Sequence, residues 1–230
     1  MTEVDFTRPG PWRQLWPHAL GLMAHLEHVT VDPPWTFGGG TVLMLRFDHR
    51  FSKDIDLFVP DPQYLGYLNP RLGGPAEDLT SDYEENAQFI KLQLGAGEID
   101  IVVGEPLTEP AFVWAAFEGR SIRVETSAEI IAKKMWHRGD QARARDLFDL
   151  CAVAMLAPEA IELALPFMAR HAAAFLQRLE LRFEDAEREF NQIDARSFRR
   201  PFEECLTMAH AILGPLKSAN DARARNDRRR

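Results

Sequence analysis

Residues Asp54-Ile-Asp-Leu-Phe58 alternate carboxylate and hydrocarbon. In a strand, positions two apart share a face, so Asp54 and Asp56 project together while Ile55 and Leu57 enter a core. That pattern demands a sheet with one buried and one polar face. The preceding stretch tightens the constraint. Trp35-Thr-Phe37 reads as a short strand, Gly38, Gly39 and Gly40 follow it, and "TVLMLRF" has the apolar density of a buried helix. Strand, glycine turn, helix and strand must therefore follow one another within residues 36–58.

Each part has two readings. A glycine turn before a helix is a common connection. It also lets a ligand approach the backbone, with the free N–H groups of the helix start facing an anion. No Gly-Lys-Ser/Thr follows, so this is not a P-loop. Two carboxylates about 7 Å apart along one strand face are either solvated or share a cation. Carboxylate oxygen is the ligand Mg²⁺ prefers, with substrate phosphates completing the shell. A later strand, "GEIDIVV", places Glu98 and Asp100 on one face and Ile99, Ile101 and Val103 on the other. If it lies beside the first, Asp100 is the third acid, because Glu98 is nearer the turn. Such a set can serve metal-assisted phosphoryl chemistry. Ser52 either donates to a phosphate or opens the strand.

The rest of the chain reads as an α/β half followed by a helical half. A helix is expected over residues 11–28, with Pro17 and Gly21 in its middle. A short helix and an acidic, turn-rich loop follow over residues 64–86, then a hairpin across Gly95–Gly97 and a strand pair turning at Gly119. After Thr126, Ser127 is placed to cap a helix that Gly139 breaks. A second helix covers residues 142–157, and three more are expected near 158–175, 176–190 and 198–213. This divides the chain into an α/β core (1–126), a helical region (127–216) and a basic, flexible tail (217–230). On the first of these helices Lys134 and Arg138 are four apart and share a face suited to phosphate; Lys133 competes with Lys134 for that role. On the second, Asp146 and Asp149 share a face opposite Leu147, Leu150, Cys151 and Ala154. Arg145 and Asp149 also have the spacing of a plain ion pair. His49, His137, Trp35 and Trp136 lie near these motifs and read as structural.

With 46% hydrophobic and 27% charged residues, the chain of 230 can bury a proper core. A net charge of −8 argues against a general nucleic-acid coat. Positive charge is concentrated in the tail, which holds six basic residues against two aspartates and suits either a solvated end or an arm for a phosphate backbone. Cys151 and Cys205 read as core thiols of a reducing compartment and are too few for a thiolate zinc site. No signal peptide and no membrane-spanning run are legible.

Taken jointly, Phe37-Gly-Gly-Gly, the helix, Asp54-Ile-Asp-Leu and the later acidic strand resemble the nucleotidyltransferase superfamily that includes DNA polymerase β. "GGTVLMLRFDHRFSKDIDLF" with "EIIAKKMWHRGDQARARDLFDL" resembles, over roughly residues 36–150, the AbiEii family of toxin nucleotidyltransferases. That resemblance implies an α+β fold: a polymerase β-like mixed sheet with flanking helices, then a C-terminal helical bundle. It implies Asp54, Asp56, Lys134 and Asp146 as catalytic residues. Gly39, Gly40, Thr41, Arg50, Ser52, Lys134, Arg145 and Asp149 would bind nucleotide. Asp54, Asp56 and Asp100 would hold Mg²⁺ or Mn²⁺. The implied substrate is a nucleoside triphosphate, the acceptor a tRNA 3′ end or a protein, the partner a cognate antitoxin and the location cytoplasmic. A catalytically silent nucleotide- or partner-binding protein on the same fold is the alternative. In either case Asp54, Asp56 and Lys134 are expected to face one cleft.

Overall fold

The structure is a computed structural model that describes the backbone of residues 2–227 and the side chains up to residue 216. Its elements run α1 (Trp12–Val29), β1 (Thr36–Gly38), α2 (Gly39–Phe47), β2 (Ile55–Val59), α3 (Gln63–Tyr67), α4 (Pro75–Leu79), β3 (Tyr83–Glu85), β4 (Phe89–Leu94), β5 (Gly97–Val103), β6 (Phe112–Phe117) and β7 (Arg120–Glu125). The helices α5 (Ser127–Arg138), α6 (Ala144–Leu156), α7 (Pro158–Met168), α8 (Ala172–Leu181), α9 (Phe183–Asn191) and α10 (Phe202–Asp227) follow.

The strands form one mixed sheet in the order β3-β4-β5-β2-β1-β7-β6. β2 lies at its centre, antiparallel to β1 and parallel to β5. Its alternation is realised: Ile55, Leu57 and Val59 are buried, and Ile99 and Ile101 do the same on β5. The glycine turn sends the chain from β1 directly into α2, which packs against β1 and β2 and is met by α5 and α6. A single apolar cluster runs from Trp12 on α1 to Leu213 on α10. This is the α+β arrangement of a mixed sheet with flanking helices expected from the sequence.

Several boundaries differ from the sequence reading. α1 runs unbroken through Pro17 and Gly21, because its Leu15, Trp16, Leu22, Met23 and Leu26 stripe is fully buried and packing outweighs weak local propensity. The acidic loop contains α4 and the edge strand β3, which pairs Glu84 with Lys91. The cap of α5 is Thr126, one residue before Ser127, and its hydroxyl accepts the Glu129 N–H at 3.1 Å. The segments expected at 158–175 and 176–190 are three helices, broken at residues 169–171 and at Arg182. The backbone of α10 continues to Asp227. The side chains of the basic tail lie outside the described residues, and so does the question of whether they hold a phosphate.

Candidate active site

The cross-strand registers build the site. Gly38 on β1 pairs with Asp56 on β2, Asp56 with Asp100 on β5, and Asp100 with Lys91 on β4. Asp56 and Asp100 are therefore neighbours on one face of parallel strands. Gly39 begins α2 at φ +72°, and a Cβ there would run into the Asp56 carboxylate. Only glycine lets the helix start lie this close to the acid. A Cβ on Gly40 would lie 2.6 Å from Arg50 Nη2 and 3.3 Å from Ser52 Oγ. Thr41 Oγ1 lies 3.0 Å from Ser52 Oγ and donates to the Asp54 carbonyl at 2.5 Å. Asp54 precedes β2, and its Oδ1 accepts the Glu98 N–H at 3.1 Å.

Charge is crowded along this row. Burial, opposed by Lys134 and Arg138 and reinforced by Asp54, raises the Asp56 carboxyl above its ordinary value. Burial and then the Asp56 charge push Asp100 up to about 7, against the pull of Lys91 3.7 Å away. Asp100 Oδ1 is buried with no hydrogen-bond partner. Glu98 faces the same lysine at 3.2 Å and nearer the turn. Among the described residues no three His, Cys, Asp or Glu side chains form a ready-made metal cage. A Mg²⁺ held by one or two carboxylates with substrate phosphates and water needs none.

The helices supply a second, satisfied set. Lys134 Nζ donates to Asp146 Oδ1 at 2.8 Å and lies 3.1 Å from Asp149 Oδ2. Arg138 grips Asp146 with two bonds of 3.0 and 2.9 Å. Arg50 grips Asp149 the same way at 2.7 and 2.9 Å, and His49 Nε2 adds a contact of 2.8 Å. Both acids are fully desolvated, which alone would raise them. Lys134 and Arg138 instead hold Asp146 at about 2, and Arg50 and Lys134 hold Asp149 well below the usual range. Burial keeps His49 below its ordinary value despite Asp149.

These contacts decide between readings the sequence left open. Asp149 turns inward to Arg50, so Arg145 makes no ion pair with it and lies exposed instead. Arg50 commits its guanidinium to Asp149 and to the Phe51 carbonyl. Lys133, the competitor of Lys134, is buried on Glu125 at 2.5 Å and Glu129 at 3.3 Å, over the Phe58 ring. Trp136 packs on Phe167 and Arg170. Trp35 donates its indole N–H to Glu27.

A cleft of about 820 Å³ opens beside this assembly. Its lining includes Ser52, Lys53 and Asp54, the arginines Arg143, Arg145, Arg178 and Arg182, and the acids Glu189 and Asp194. Of the three residues expected to face one cleft, only Asp54 is in its lining. Asp56 and Lys134 meet through charge, Lys134 being the largest electrostatic stabiliser of the Asp56 carboxylate. Sequence reasoning missed Glu125, whose carboxylate lies against Gly38, and the two α8-side arginines. Neither belongs to a motif with readable spacing; Glu125 is found only through the β1–β7 pairing.

No curated protein matches the chain. Among solved structures it is similar to JHP933 from Helicobacter pylori, at 17% identity and a TM-score of 0.45, covering 94% of this chain and 98% of that one. It is also similar to MenT4, a nucleotidyltransferase toxin from Mycobacterium tuberculosis, at 18% identity and a TM-score of 0.42, covering 86% and 81%. The model of the family described as "Nucleotidyl transferase AbiEii toxin, Type IV TA system" matches residues 21–224, which takes in the glycine turn, both acidic strands and most of the helical half. The chain therefore belongs to the AbiEii family of nucleotidyltransferase toxins.

Proposed function

We propose that this nucleotidyltransferase moves a nucleoside monophosphate from a nucleoside triphosphate to the 3′ hydroxyl of a tRNA, in the cytoplasm, as the toxin of a pair with a cognate antitoxin. The observation that carries the chemistry is the placing of Asp56 and Asp100 side by side in register, with Asp54 just before β2 and the Gly39 turn against Asp56. Like charges are adjacent here and one carboxylate oxygen, Asp100 Oδ1, is orphaned. Such an arrangement suits a hard divalent cation, with Asp54, Asp56 and Asp100 to hold it. When bound, Mg²⁺ or Mn²⁺ supplies charge neutralisation at the triphosphate and lowers the proton affinity of an attacking hydroxyl.

The chain's own residues do the rest. The N–H groups at Gly39, Gly40 and Thr41 and the Ser52 hydroxyl receive phosphate oxygens. Lys134 opposes the charge that grows on the departing phosphates, and Asp146 and Asp149 fix its position through contacts of 2.8 and 3.1 Å. Arg50 acts through Asp149, and Arg145 faces the cleft from α6. A carboxylate of the row takes the acceptor proton. The acceptor oxygen bonds to the α-phosphorus in line, the bond from that phosphorus to the α,β-bridging oxygen breaks, and pyrophosphate leaves. In this reading residues 127–216 complete a site begun by residues 1–126. No described helix is long and apolar enough to cross a membrane.

Label transfer from α-labelled triphosphates to total RNA and to protein, comparing wild type with Asp56→Ala, tests the proposal. Label on RNA from wild type alone supports it. Label on protein alone moves the acceptor away from tRNA. Label from γ-labelled but not α-labelled triphosphate indicates a kinase. Label on nothing indicates a silent nucleotide-binding protein.

A further inference from the structure

The cleft beside Asp54 is built from an excess of positive charge in an acidic chain of net −8. Lys53 enters it from the loop before β2, Arg143 and Arg145 from the start of α6, and Arg178 and Arg182 from α8 and its end. Among the described residues, Lys53, Arg143, Arg145 and Arg178 have no carboxylate within ion-pair distance. Arg182 has only the half-exposed Glu189, at 3.1 Å. Burial and then the neighbouring Arg138 cation depress Arg143, with Arg145 adding to it, while Asp146 and Asp100 act against them. The walls are held in place. Phe51 N–H donates to the Asp194 carbonyl at 2.8 Å, and Arg50 bridges to Ala195. This ties the motif loop to the segment after α9.

A triphosphate already partly neutralised by a divalent cation does not require five further cations. The surplus, and its extension away from the glycine turn onto α8, suits a longer polyanion. At about 820 Å³ the cleft is of small-ligand size, a space that suits a few nucleotides of unpaired strand. We infer that Arg178 and Arg182 bind backbone phosphates of a single-stranded RNA acceptor and lead its 3′ end along the cleft to Asp54. This rests on the nucleotidyl-transfer reading and assigns the acceptor a path within it. Arginine suits the task because its planar donor fork matches phosphate and stays charged.

The test is direct binding of a fluorescent single-stranded oligoribonucleotide with a free 3′ hydroxyl, measured at several salt concentrations. A non-hydrolysable triphosphate analogue is titrated in parallel. The paired change Arg178→Ala with Arg182→Ala is expected to raise the RNA Kd about tenfold or more and to flatten the salt slope by about 1.4, roughly 0.7 for each phosphate lost. The analogue Kd should hold, and Arg178→Lys with Arg182→Lys should recover most of the RNA affinity. Three results overturn the inference: wild type that does not bind the RNA, an alanine pair that binds it unchanged, or an alanine pair that weakens the analogue as much as the RNA. The last would assign these arginines to the triphosphate. Absent RNA binding with label transfer to protein intact defeats the RNA path alone. RNA binding without transfer to any acceptor defeats the nucleotidyl-transfer reading alone.

Discussion

Gly39 holds a left-handed backbone angle with the Asp56 carboxylate packed against it. Gly39→Ala therefore meets both a conformational penalty of about 1 kcal/mol or more and a collision with the Asp56 carboxylate. Transfer activity should fall at least about tenfold, measured by α-label incorporation, with the Tm lowered as well. Asp100 shows the opposite relation of stability to function. Its folded carboxyl sits at about 7 against an ordinary 3.8, so the folded form binds the extra proton. That preference is fully present below pH 3.8 and lost as pH rises through 7. Asp100→Asn should thus stabilise the free protein at pH 8 by roughly 1–2 kcal/mol, allowing for screening at a partly exposed group. It should add nothing below pH 3.8 and should weaken Mg²⁺-dependent activity. Denaturant melts at the two pH values decide this. The alternation at 54–58 made Asp56 legible on the polar face of β2, with Asp54 just before the strand. The commitment of Arg50 to Asp149 was not, because it joins residues 99 positions apart.

At the scale of an element, α6 has an unusual buried face. Apolar Leu147, Leu150 and Cys151 share burial with Asp146 and Asp149, which the sequence pattern had placed on an opposite, polar face. Charged side chains enter a core only when paired, and here Lys134, Arg138, Arg50 and His49 do the pairing. Asp149→Ala leaves Arg50 and His49 buried without their acceptor and should cost about 3–5 kcal/mol in chemical denaturation. Acid should unfold the protein through the same helix. Asp146 titrates at about 2 in the folded state against 3.8. Its contribution, roughly 2 kcal/mol, is present above pH 3.8 and lost as pH falls through 2, with Asp149 adding in the same direction. Circular dichroism between pH 5 and 2 checks this, and Asp146→Asn should flatten the loss. Helix existence was readable from period and caps. The breaks at residues 169–171 and Arg182 were not, since they are decided by how α8 and α9 pack on α10, α6 and each other.

Across the whole molecule, two charged clusters of opposite electrostatic state meet. The sheet's carboxylate row is under-compensated, while the Asp146–Asp149 set is fully paired. A divalent cation and a triphosphate should therefore stabilise the protein together, binding the folded state alone. Wild type should show a Tm that rises with added Mg²⁺ and a non-hydrolysable triphosphate, and chelation should reverse it. Asp54→Ala with Asp56→Ala should abolish the metal-dependent part in a thermal-shift series.

The sequence by itself determined the local grammar: a glycine turn between strand and helix, two acids two residues apart at the start of a strand, a third on a later strand, and a lysine helix followed by an acidic one. Those features follow from backbone periodicity and from what glycine alone permits, and neither depends on distant residues. Tertiary structure decided which carboxylates lack partners, which lysine meets the motif acids, and that arginines near α6 and α8 line one cleft with Lys53. Those outcomes depend on desolvation and on charges brought together across the chain. They arise only when the central strands, β2 beside β5 and β1 beside β7, and the helices packed on them bring distant positions into contact.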